Sequence, residues 1–267
     1  MANTNNSGRV IAIASGKGGV GKTSVAVNLG VALAQEGKKT IIVDGDISMA
    51  SVGIMLGSKR NPVNLHHVLM GEAAVNEATY TAHGVKFVPA GLSVERIKRA
   101  DHEKLAGVIQ ELEKSHDFVI VDCAPGIANE SLTALKTAHE VILVVNPEPT
   151  SLADALKVKA IAEKNNAKLI GLIANMKVGD RGEIREGELE KLLGCRVLAT
   201  IPFDEKAKKA STAQIPAVVK FPESDFAEGI NRVAAFLCGS LPKTRVKKGI
   251  VRSIFESIAS VLKRRKG

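Results

Sequence analysis

The residues most able to do chemistry lie in one run, Gly16-Lys17-Gly18-Gly19-Val20-Gly21-Lys22-Thr23. They fit the phosphate-loop pattern G-x-x-x-x-G-K-[ST]. Glycines at these positions let the backbone turn tightly and aim its N–H groups at phosphate oxygens. A helix opening at Lys22-Thr23-Ser24 adds the positive end of its dipole. Lys22 is placed to reach β- and γ-phosphates, and the Thr23 hydroxyl to ligate Mg²⁺. The alternative is a Gly-rich turn that binds nothing. The strand–loop–helix context of the full octet argues against it.

Two further groups of acids stand where such chemistry needs them. Asp44 and Asp46 follow the apolar run Thr40-Ile41-Ile42-Val43. Asp122 ends the run Phe118-Val119-Ile120-Val121, a Walker B arrangement in which Asp122 would hold Mg²⁺. An apolar run ending in Asp is a weak signal alone and a strong one together with the phosphate loop. His66 and His67 are adjacent, so a helix would point them to different faces, which disfavours a shared metal.

Short apolar runs must position these groups. Val10–Ala14, Thr40–Val43, Val85–Val88, 117–122, Val141–Val145, 168–174 and Val197–Ile201 read as buried strands. Helical stretches separate them: about 22–36, 48–56, 65–70, 102–114, 151–164 and 224–238. Strands alternating with helices predict a single doubly wound α/β domain with a mostly parallel sheet and helices on both faces. In that fold, residues at the carboxyl ends of the strands face the ligand crevice.

The second lysine, Lys17, narrows the reading. With it the loop resembles the deviant form of the ParA/MinD family of ATPases, most similar to MinD-like proteins and their archaeal branch. The resemblance covers nearly the whole chain. It implies ATP and Mg²⁺ as ligands and an ATP-bound homodimer in which Lys17 reaches the partner's nucleotide. It also implies that Asp46, in switch I, orients the attacking water. Cys123-Ala124-Pro125-Gly126 resembles switch II, and Asn146-Pro147-Glu148 matches a motif that brings Glu148 to the dimer interface. Asn175 corresponds to the asparagine whose amide reads adenine, and the segment from Pro202 closes over the base. The family often has Arg after that asparagine; here Met176 and Lys177 follow.

The chain has 267 residues, 45% of them apolar, with one Tyr and no Trp, so its core must be aliphatic. Three cysteines at 123, 195 and 238 form no C-x-x-C, which argues against a disulfide framework or an iron–sulfur scaffold and suits a reducing cytosol. Residues 1–8 are polar and expected to be disordered; 9–239 form the ATPase domain, and 240–248 a linker. No apolar run approaches the length of a membrane span.

Net charge is +9, and its location matters more than its total. Residues 243–267 hold nine Lys/Arg against Glu256 alone; the rest of the chain has 28 basic and 27 acidic residues. Within 249–267, Ile250, Val251, Ile254, Phe255, Ile258, Val261 and Leu262 fall on one helical stripe with basic residues at both ends. Such a helix suits the surface of an anionic membrane, as in MinD-like proteins. The expected protein is a cytoplasmic ATPase, peripheral on the inner face of the cell membrane, which positions division, motility or chemosensory machinery together with a protein partner the sequence does not name. DNA is a less fitting partner, because the body is nearly neutral. A ParA-like DNA-partitioning ATPase, an FlhG-like flagellar-number regulator and a slow nucleotide-binding scaffold are the alternatives.

Overall fold

A computed structural model describes residues 8–241, residues 59 and 128 excepted. The expected tail helix, its seven membrane-facing residues, most of the linker and residues 1–7 lie outside the described residues.

In chain order the elements are β1 (Arg9–Ala14), α1 (Lys22–Gln35), β2 (Thr40–Gly45), α2 (Val52–Met55), α3 (Leu65–Leu69), β3 (Tyr80–Ala82), β4 (Val85–Val88), α4 (Val94–Arg99), α5 (Leu105–Glu113), β5 (Phe118–Cys123) and α6 (Asn129–Thr137). There follow β6 (Glu140–Val145), α7 (Pro149–Lys164), β7 (Lys168–Lys177), α8 (Glu186–Leu193), β8 (Val197–Pro202), α9 (Glu205–Thr212), α10 (Ala217–Lys220) and α11 (Asp225–Cys238). The strands form one sheet in the order β3-β4-β2-β5-β1-β6-β7-β8. Every pairing is parallel except β3 with β4. The doubly wound sheet expected from the apolar runs is therefore the one observed.

Both faces of the sheet are buried, which explains why the strands read as continuous apolar runs. Val10, Ala12 and Ala14 point into one core layer with residues of α3, α5, α6, α7 and α8. Ile11 and Ile13 point the other way, into a layer shared with α1, α2, α10 and α11. β1 lies between β5 and β6, where the strand order reverses. This switch point opens a crevice outside the carboxyl ends of the strands.

Three local differences from the sequence reading have physical causes. The helix expected over 48–56 shrinks to α2, because Asp44 Oδ2 accepts the N–H groups of Ser51 (3.0 Å) and Val52 (3.1 Å) and so caps the helix there. β7 runs to Lys177 rather than 174, with a register shift against β8 and a left-handed Met176 (φ 57°). Asn175 thus sits in an irregularity of the strand, not beyond its end. β3, α4, α6, α8, α9 and α10 add elements that no apolar run announced. In α9 only Ala210 is buried, so it carries no stripe to read.

Candidate functional site

The phosphate loop leaves the buried end of β1 and turns into α1. Gly21 caps α1 with φ 88°, a conformation other residues rarely adopt. It also has no room for a side chain, since a Cβ there would collide with the Asn175 amide. That amide donates from Nδ2 to the Val20 carbonyl at 2.8 Å. On the other side, the Gly126 N–H, in the segment resembling switch II, donates to the Ser15 carbonyl at 2.8 Å. The loop is thus held from β7 and from the end of β5.

Parallel pairing sets Asp122 beside Ile13 on one flank and Asp44 on the other. Asp122 collects both functional side chains of the loop. Lys22 Nζ donates to its Oδ1 at 2.6 Å, and Thr23 Oγ1 to its Oδ2 at 2.6 Å. The Ser51 hydroxyl donates to Thr23 Oγ1 at 3.3 Å. Burial pulls the Lys22 ammonium down, but the Asp122 charge and hydrogen bond, with smaller help from Cys123 and Asp46, leave it raised overall. Lys22 therefore stays a cation although it is buried.

Asp44 is the opposite case. It is fully buried, and burial first and the Asp122 charge second push its carboxyl up to about 7. Its Oδ1 makes no hydrogen bond among the described residues. Thr23 Oγ1, Asp122 and Asp44 are hard oxygen donors around a buried point that already holds the Lys22 charge. That donor set suits Mg²⁺ with phosphate better than a softer metal.

Asp46 is buried just past β2, and its Oδ1 accepts the Met49 N–H at 3.2 Å. Lys17 stands at the front of the loop, about half exposed, with Nζ 3.9 Å from Glu148 Oε2 of the same chain. The two residues that the family resemblance sends to a dimer interface are therefore neighbours within one chain. Gly16, Gly18 and Gly19 complete the loop.

A cavity of about 290 Å³ adjoins the loop, lined by Ser24, Asn175, Met176, Pro202, Phe203 and Phe226 among others. Asn175 supplies the amide, and Met176 and Phe203 supply apolar walls where the family often has an arginine. The sequence reading did not assign roles to Met176, Ser51 or Asp44's free oxygen. Phe203 lies in the segment from Pro202 that the family resemblance sends over the base.

Over residues 6–238 the chain matches a family profile described as ParA, NUBPL iron-transfer P-loop NTPase. It is 40% identical over 239 residues to an uncharacterised ATP-binding protein of Methanocaldococcus jannaschii, covering 89% of this chain and 90% of that one. It superposes on the cell division ATPase MinD of Pyrococcus furiosus with a TM-score of 0.84 and 36% identity, covering 87% of this chain and 99% of that one. The septum site-determining protein MinD of Pyrococcus horikoshii, solved with Mg-ADP, gives 0.83 and 35%, covering 86% and 95%. The profile match spans the residues that build the loop, the switch point and the cavity beside Asn175. The chain belongs to the ParA/MinD family of P-loop nucleoside triphosphatases.

Proposed function

We propose that this protein is a Mg²⁺-dependent ATPase that dimerises with ATP bound and cycles between cytosol and an anionic membrane surface. There it positions cellular machinery such as a division site or a motility or chemosensory structure. The observation that carries the chemistry is the triad of Lys22, Thr23 and Asp122, with both side chains of the loop on one buried carboxylate.

In this reading Lys22 exchanges Asp122 for the β- and γ-phosphate oxygens, and the loop N–H groups from Gly16 to Thr23 bind the phosphates. Thr23 and Asp122 would hold Mg²⁺, which when bound neutralises charge on the phosphate oxygens. Asp46 orients the attacking water. Asn175 and the Pro202–Phe203 segment hold the base. Lys17 leaves Glu148 and reaches the partner's phosphates, in the part an arginine finger plays elsewhere. An exposed pair at 3.9 Å is worth about 0–1 kcal/mol, so its release costs little.

Iron transfer, the activity in the family profile's description, fits this chain less well. Burial pushes the Cys123 thiol up to about 12 and Cys195 up to about 11, the reverse of a metal-binding thiolate. Among the described residues no three His, Cys, Asp or Glu gather to hold a metal. Among those same residues, no helix is long and apolar enough to cross a membrane.

Two variants test the reading. Asp46→Ala is expected to bind ATP and dimerise while turnover falls by about 10²-fold, the scale of losing one positioned catalytic group. Turnover at the parent rate would remove Asp46 from the chemistry. Lys17→Ala is expected to bind ATP yet remain monomeric in light scattering, because nothing then crosses to the partner's phosphates. A dimer of undiminished strength would refute that role.

A further inference from the structure

The β2–α2 loop that carries Asp46 is tied down at one point by a residue outside the nucleotide site. His66, in α3, is fully buried, and its Nε2 lies 3.0 Å from the Ile47 carbonyl. A carbonyl only accepts, so Nε2 carries the proton and donates. Burial lowers the His66 pKa, which keeps the ring neutral and Nδ1 bare. Nδ1 has no hydrogen-bond partner among the described residues. Gly91 closes that side: a Cβ there would lie 2.7 Å from Nδ1. The ring nitrogens thus make a single hydrogen bond, and it goes to the residue after Asp46.

Ile47 is held twice. Its side chain is buried in the core layer with Leu65 and Leu69, and its carbonyl is held by His66. Just before it, the carbonyl and carboxylate of Asp46 both accept the Met49 N–H, at 3.1 and 3.2 Å. A buried carbonyl that loses its donor must turn to find another. The peptide that would turn joins Ile47 to Ser48, one residue beyond Asp46 in the same turn. An apolar side chain would fill the space of His66 equally well; what the imidazole adds is the donor.

We propose that His66 is a positioning residue for hydrolysis: through the Ile47 carbonyl it fixes the backbone from which Asp46 is aimed. The inference rests on the ATPase reading and on the role given there to Asp46. His66 is not among the residues that this reading places against nucleotide or attacking water.

The experiment measures steady-state ATP hydrolysis and thermal unfolding for the parent, His66→Gln, His66→Met and Asp46→Ala, and for His66→Met combined with Asp46→Ala. Gln keeps an N–H donor and Met removes it at similar volume. His66→Met is expected to lower kcat by about 10-fold with KM for ATP unchanged, since sub-ångström misplacement of a catalytic group costs rate rather than binding. His66→Gln should retain most of the parent kcat. In the double variant, His66→Met should cost nothing further, because the two act as one unit. Parent turnover in His66→Met overturns the inference alone. So does an equal loss in His66→Gln, or a full further loss on top of Asp46→Ala. Should His66→Met fail to fold, His66→Phe gives the same comparison with Gln. A parent protein that binds ATP but does not hydrolyse it overturns the ATPase reading, and this inference falls with it.

Discussion

Lys22→Ala is expected to abolish ATP binding at concentrations that saturate the parent protein. The ammonium is buried, charged and placed at the start of α1, so it can make charge-assisted bonds to phosphate oxygens. Each such bond is worth about 1.5–3 kcal/mol, and the loss should lower affinity by roughly 10²-fold or more. The same substitution strands Asp122, which is fully buried beside Asp44. Removing one partner of a buried pair costs about 3–5 kcal/mol, so Lys22→Ala should also melt earlier than the parent in the absence of nucleotide. Lys22→Gln separates the two effects. It can still donate to Asp122, so it should recover much of the stability while binding stays lost. Titration calorimetry of both variants, on protein shown to be folded by circular dichroism, is the measurement. An ATP affinity within threefold of the parent in either variant would sink the phosphate-loop assignment.

The second large effect is on membranes. Phe255→Glu, or Ile254→Glu, is expected to release the protein from anionic vesicles while leaving the ATP dimer intact. Each substitution puts a charge in the middle of the apolar stripe that the sequence predicts for 249–267. Seven large apolar side chains could gain roughly 1.5–3 kcal/mol each if fully buried. An interfacial helix buries them only in part, and ordering it costs about 1–2 kcal/mol per residue. Basic residues return about 1 kcal/mol each near an anionic surface, less with salt. For one helix the ordering cost is of the same order as the gain, so a single tail is expected to hold weakly at best. In the proposed ATP dimer a second helix would insert intramolecularly, which would raise avidity by roughly 10²–10⁴.

The fold sharpens this expectation. Arg9 Nη1 donates to the Leu237 carbonyl at 2.7 Å, and the Arg196 guanidinium lies over the Phe236 ring at 3.8 Å. Both hold the end of α11 at the edge where β1 and β8 begin, opposite the phosphate loop. Pocket and tail root are therefore at opposite ends of the sheet, and the link between nucleotide and membrane is expected to run through the dimer. Co-sedimentation with anionic vesicles should then require ATP and fall with salt. Equal pelleting with ATP and ADP would break that link, and parent-level pelleting of Phe255→Glu would remove the tail from the mechanism.

Much of the site was legible because its parts are local. Gly16 to Thr23 is a contiguous loop whose backbone geometry follows from its own glycines. Asp46 and Asp122 could be placed because a doubly wound sheet buried on both faces writes its strands as apolar runs, and the residue ending such a run faces the crevice. β3, α4, α6, α8, α9 and α10 were not legible for the converse reason. These elements are short or polar and owe their shape to what they pack against.

What the tertiary structure alone decided are the pairings between distant segments. Nothing in the spacing says that Lys22 and Thr23 share one carboxylate, that Asp44 Oδ2 caps α2, or that the Asn175 amide clasps Val20. Nor does it say that Lys17 rests on Glu148 of its own chain, or that His66 holds the carbonyl of Ile47, the residue after Asp46. These contacts depend on β2, β5, β1 and β6 lying side by side in an order unlike that of the sequence. For all of these but the exposed Lys17–Glu148 pair, burial then fixes the partners: inside the sheet's crevice water reaches an ammonium, a hydroxyl or an amide poorly, so each takes the protein acceptor that the strand order brings within reach.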